Sequence, residues 1–78
     1  MGAQKKISDL LPGQTATVEH FATSEPWVWR LQELGLLPGA LVQLIRCAPL
    51  GDPFEIEVKG SLLSLRKKEA SAIWVSLA

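Results

Sequence analysis

The stretch FEIEVKGSLLSLR, from Phe54 to Arg66, constrains this chain more than any other. Phe54, Ile56 and Val58 alternate with Glu55, Glu57 and Lys59, the period-two pattern of a half-buried strand. A second apolar run follows Gly60-Ser61, and two residues suffice to join antiparallel strands. With Gly60-Ser61 as a type II′ loop, Lys59 pairs with Leu62, Val58 with Leu63, Ile56 with Leu65 and Glu55 with Arg66. The apolar pairs then share one face while Glu55 and Arg66 meet on the other. A one-residue slip destroys that agreement.

The flanking segments read as further strands joined by tight turns. QTATVEHFA, starting at Gln14, places Ala16, Val18 and His20 on one face, and its threonines and valine suit a pleated, half-buried surface. Leu41 to Ala48 is an apolar, β-rich run, and Ile73, Val75 and Leu77 alternate with Trp74 and Ser76 as a last short strand. Ile7 to Gly13 forms a turn in which Ser8 and Asp9 can cap backbone amides, and Leu37-Pro38-Gly39-Ala40 carries a type II signature. Ser24-Glu25-Pro26 opens one helix of about two to three turns, with Ser24 as cap and Pro26 in the first turn. Trp27, Leu31 and Leu34 form its core stripe, and Gly35 offers the left-handed stop. Lys67 to Ala70 suits a single helical turn. Five short strands with one or two short helices describe a mainly β fold, a small and strongly bent barrel whose closure suppresses strand edges. No repeat or linker interrupts it, so residues 1–78 read as a single domain.

A chain of 78 residues buries only about 60% of the surface its unfolded form exposes, which leaves little core to wall off a catalytic cleft. Its formal net charge of zero gives no electrostatic footprint for nucleic acid. Arg66-Lys67-Lys68, with Lys5 and Lys6, is a local basic cluster of the kind an exposed helical turn produces, and no aromatic residues are interleaved with it. One cysteine, Cys47, precludes an internal disulfide and points to a reducing, cytoplasmic setting. No apolar run approaches the roughly 20 residues of a membrane span. The start has no signal-peptide pattern, and Met1-Gly2 has Lys6 where an acylation motif needs Ser or Thr.

The residues that carry chemistry are few. His20 and Cys47 could meet across strands, with Glu19 or Glu55 nearby, as a metal-responsive pair; the same two residues also suit a barrel-lining histidine and a small buried thiol. Glu55 and Glu57 share the outward face of a strand, as solvated carboxylates do. No phosphate-binding loop and no nucleophile–base pair is present, so the chain reads as a non-enzyme without a cofactor, and any nucleotide involved belongs to another protein.

What remains is apolar surface without an obvious home. Trp29 cannot lie on the stripe of Trp27 and Leu31, and Trp74 points away from Ile73 and Val75. Each either packs under a neighbouring segment, such as the N-terminal turn, or meets a partner. In APLGDP, from Ala48 to Pro53, two prolines and Gly51 stiffen a loop, and Asp52 can accept from loop amides. Leu50 either folds back on the barrel or projects from a rigid tip, where docking would cost little entropy. Leu50, Pro49, Asp52, Trp27 and Trp29 are therefore the candidate partner-binding residues.

LGL-PG (Leu34 to Gly39), APLGDP, VKG (Val58 to Gly60) and LSLRKKEA..I.V (Leu63 to Val75), with ISDL-PGQ at Ile7 to Gln14, closely resemble the FeoA family, ferrous iron transport protein A. The resemblance covers nearly the whole chain. It implies an SH3-like barrel and a small cytosolic protein that binds FeoB, a membrane Fe(II) transporter with a cytosolic GTP-binding domain, and modulates its GTPase or assembly. Contact with the membrane would then be indirect, and a homo-oligomer is compatible with it. Similar domains are also appended to iron- or manganese-dependent repressors, the source of an alternative reading as a metal- or peptide-responsive regulatory domain. No helix-turn-helix pattern precedes this one, which favours the standalone form. The family offers no catalytic residue to transfer, and Trp27-Val28-Trp29 is unusual at a position often polar in it.

Overall fold

The computed structural model describes residues 4–78; Met1-Gly2, read above against an acyl anchor, lies outside them. Strands β1 (Gln4–Lys6), β2 (Thr15–Phe21), β3 (Leu41–Cys47), β4 (Phe54–Val58), β5 (Ser61–Leu65) and β6 (Ile73–Leu77) form one antiparallel sheet in the order β1-β6-β2-β3-β4-β5. Helix α1 (Pro26–Glu33) lies between β2 and β3 in sequence, and α2 (Lys67–Ala70) between β5 and β6. The sheet coils around a core containing Val18, Leu36, Leu44, Ile56, Leu65, Ile73 and Val75, and Ile7 in a 3₁₀ turn plugs it from the N-terminal side. Five strands were expected and six are found. Gln4-Lys5-Lys6 has no apolar alternation, and it is a strand only because β6 offers it a ladder.

The central hairpin forms, in a register different from the expected one. Its reversal falls on Lys59-Gly60, with φ of 51° and 80°, a type I′ turn one residue earlier than the Gly60-Ser61 loop. Val58 therefore pairs with Ser61, Ile56 with Leu63 and Phe54 with Leu65. Moving a two-residue loop by one position moves the register by two, so every side chain keeps its face and alternation cannot tell the alternatives apart. Packing of Phe54 decides between them. The expected register would set it opposite Lys67, whereas here Phe54 and Leu65 are both buried. Glu55 consequently meets Arg46 of β3 at 3.6 Å rather than Arg66.

A bulge between Val18 and His20 makes a second correction. Ala16 and Val18 are buried as expected, but the extra residue turns Glu19 and His20 both outward. His20 does not line the barrel. It stacks on Trp74 across β6, with ring centroids 6.2 Å apart. Lys6 covers the same indole at 5.4 Å, so Trp74 is half-buried beneath the N-terminal strand.

Helix α1 starts without the expected Ser24 cap: Thr23 Oγ1 accepts from the Glu25 N–H at 3.3 Å, and Pro26 occupies the first helical position. The apolar side chains it buries are Val28 and Leu31, with Trp27 packed at the core's margin, while Leu34 is exposed. The reason is the helix end. Gly35, at φ 105°, closes a Schellman motif in which Leu36 N–H donates to Leu31 C=O and Gly35 N–H to Gln32 C=O. This reversal swings Leu36 onto Leu31 and into the core, and leaves Leu34 on the outside.

Candidate protein-docking groove

The loop between β3 and β4 is built as the sequence suggests. Ala48-Pro49-Leu50-Gly51 is a β-turn closed by Gly51 N–H donating to Ala48 C=O at 2.8 Å, and Ala48 N–H to Pro53 C=O closes its base at 3.0 Å. Leu50 at the apex is 94% exposed, so it projects and does not fold back; Pro49 beside it is exposed too.

Asp52 departs from expectation. Its Oδ1 accepts from the Lys67 N–H at 3.0 Å and its Oδ2 lies 3.5 Å from Arg66 Nε, so it satisfies an orphan amide of α2 and not of its own loop. The tip is thereby clamped to a helix fifteen residues further on. Asp52→Ala is expected to lower stability by about 1 kcal/mol, as loss of a helix-capping acceptor does. It should also speed amide exchange at residues 48–52, read by urea unfolding and hydrogen exchange. Unchanged exchange there would mean that the turn stiffens itself.

Between that tip, α1 and α2 lies a groove of about 400 Å³ lined by Trp27, Asp52, Arg66, Lys67, Lys68 and Glu69. Its polar walls are cross-linked. Glu69, 7% exposed, accepts from the Arg66 N–H at 2.9 Å, and its other oxygen lies 3.5 Å from Arg30 Nη2. Glu25 Oε1 accepts from Trp27 Nε1 at 3.2 Å and lies 3.7 Å from Lys68 Nζ. The cations of these pairs are mostly exposed, so each pair adds little to stability and the arrangement chiefly fixes shape.

Of the five candidate docking residues, Trp27 and Asp52 share the groove, and Pro49 and Leu50 stand on the loop that carries Asp52. Trp29 is 70% exposed on the outer side of α1 and does not line it. Residue types alone did not suggest that Arg66, Lys67, Lys68, Glu69 and Glu25 belong to the same site. The one available signal was the spacing of Glu69 three residues after Arg66, which marks the start of α2. A second depression, lined by Leu41, Gln43, Glu57 and Lys59 among others, contains none of the candidates. Cys47 is half-buried in β3 and His20 lies outside the barrel. Among the described residues no three His, Cys, Asp or Glu side chains gather to hold a metal ion, and no helix is long and apolar enough to cross a membrane.

Comparison with known proteins bears on the whole chain. The FeoA domain family model matches residues 5–77. The FeoA protein of Chlorobium tepidum is 41% identical and superposes with a TM-score of 0.88 over 94% of this chain and 70% of that one. Stenotrophomonas maltophilia FeoA, a prokaryotic SH3 domain protein solved with zinc, is 28% identical with a TM-score of 0.81 over 92% of this chain and 89% of that one. A curated relative, the Fe(2+) transport protein A/Fe(2+) transporter FeoB fusion protein of Porphyromonas gingivalis, is 29% identical over 72 residues. Those residues are 92% of this chain, which spans only 8% of that relative. The coiled six-stranded sheet is thus an SH3-like fold, and the chain belongs to the FeoA family, which is tied to Fe(2+) transport.

Proposed function

We propose that this chain is a cytosolic accessory protein of ferrous iron uptake. It binds a FeoB-like membrane transporter on the cytosolic, GTP-binding side and modulates it, without catalysis of its own. The observation that carries this reading is the fusion relative, in which a matching segment and the transporter are one polypeptide. Two units joined covalently work in one place, and separate chains that share that work must find each other by binding. The clamped tip, with Leu50 outside and Trp27 in the groove beside it, supports a docking role: a rigid apolar projection loses little entropy when covered.

The test is calorimetric titration of the intact chain into the GTP-binding domain of a FeoB-like transporter, with GTP hydrolysis followed in parallel. Saturable binding with Kd of about 1–100 μM, the range of small transient interfaces, is the expected result. A change in the hydrolysis rate on saturation would accompany it. No heat at several hundred micromolar of either partner would remove the reading.

A further inference from the structure

We infer that α1 is a hinged flap: residues 23–34 swing off the barrel and unwind while the six strands stay paired, which takes Trp27 out of the groove. The segment is pinned only at its two roots. Ala22 N–H donates to Ala72 C=O and Gly39 N–H to Val18 C=O, both at 2.7 Å. Among the described residues, no backbone group of residues 23–34 bonds to a strand; their bonds close within the segment or onto Gly35 and Leu36 just after it. Opening the flap therefore breaks no rung of the sheet.

What holds it down is limited. Helix α1 buries Val28 and Leu31, and Trp27 meets Phe21 edge-on with ring centroids 6.5 Å apart. The remaining links run to α2: Arg30 to Glu69 at 3.5 Å and Glu25 to Lys68 at 3.7 Å. Three of those four side chains are more than half exposed, so the pairs are weak. Nor does α1 sustain itself. Its eight residues fall short of the roughly 12–15 that an isolated helix needs in water, and no side chain caps its start. Trp27-Val28-Trp29 fills most of its first turn with weak helix formers. Once undocked it unwinds and regains the freedom of an open chain. Gly35 is the natural hinge, because glycine best absorbs a change of backbone direction, and Leu36 beyond it can stay in the core when Leu31 leaves.

The consequence falls on the groove. Trp27 is what α1 contributes to its lining, so the groove has its aromatic wall only while the flap is closed. A partner that covers Trp27 binds the closed form alone and thereby holds the flap shut. That coupling rests on the docking role proposed above. The opening itself is a property of the free chain and is tested without the transporter, so the two can fail separately.

The test is native-state hydrogen exchange of the ¹⁵N-labelled intact chain across sub-denaturing urea, where closing outruns exchange. Corrected for intrinsic rates, the amides of residues 30–34 should exchange at least about thirtyfold faster than the slowest amides of β2, β3 and β6. Their dependence on urea should be less than about half that of global unfolding, because less surface is uncovered. Gly13→Ala separates the two routes. Gly13 lies at the opposite end of β2 from α1, its φ of 91° strains any side-chain residue, and an added Cβ meets nothing within 4 Å. The strain persists whether the flap is open or shut and is relieved only when the barrel unfolds. The slowest strand amides should therefore exchange about 5–30-fold faster in the variant, while those of residues 30–34 stay within about twofold of the parent. Acceleration of residues 30–34 by the same factor as the strands, or a urea dependence equal to the global one, would overturn the inference, because α1 would then leave only with the whole fold. Should Gly13→Ala not fold, the urea dependence in the parent chain decides alone.

Discussion

Leu36→Ala is expected to remove about 3 kcal/mol of folding stability, within the 2–5 kcal/mol typical of a fully buried leucine cut back to alanine. Leu36 has no exposed surface and packs on Leu31 at the close of the Schellman motif, so its loss opens a cavity where the helix joins the barrel. A chain of 78 residues has a total stability of roughly 4–12 kcal/mol, so the variant would lose a large part of it. Urea unfolding reads the effect as a drop in midpoint at constant slope. Leu34→Ala, two positions earlier and 49% exposed, is the control and should cost less than about 1 kcal/mol. A larger cost at Leu34 than at Leu36 would mean that α1 does not end at Gly35 in solution.

Leu50→Asp should leave stability within about 0.5 kcal/mol of the parent, because a side chain 94% exposed in the free protein has no packing to lose. Its expected effect is on binding. Covering a leucine is worth about 1.5–3 kcal/mol, and a carboxylate in its place is desolvated without a partner, so affinity for the transporter's GTP-binding domain should fall at least about tenfold. Calorimetry on parent and variant checks this directly. Equal affinities would take the tip out of the interface and leave the groove and Trp29 as candidates.

Much of the fold was legible because strand alternation and turn chemistry are local. The type II turn at Leu37 to Ala40 closes through Ala40 N–H to Leu37 C=O at 2.9 Å, with Gly39 at φ 92°, and the helical turn from Lys67 to Ala70 is in place. The errors arose where a distant partner chooses between local alternatives. Alternation is blind to a two-residue register shift, and only Phe54 finding Leu65 settles the hairpin. Helical spacing offered Leu34 to the core, and the reversal at Gly35 delivered Leu36 in its place. The bulge that exposes His20 has no glycine or proline to announce it. The site was legible only in part for the same reason. The stiffness of Ala48 to Pro53 is written in its own residues. Its clamp to Lys67 and the meeting of Trp27 with Arg66 to Glu69 depend on how β5 delivers α2 to the loop.

Gln4 faces Ser76 across the first and last strands, about 5 Å away, so both strands that end the described fold meet at one rim. A polypeptide tethered at either end would start from nearly the same point in space and have nearly the same reach. Such a unit behaves like a bead with a single eyelet: it can be threaded into a longer chain or hung from one while the barrel keeps its shape.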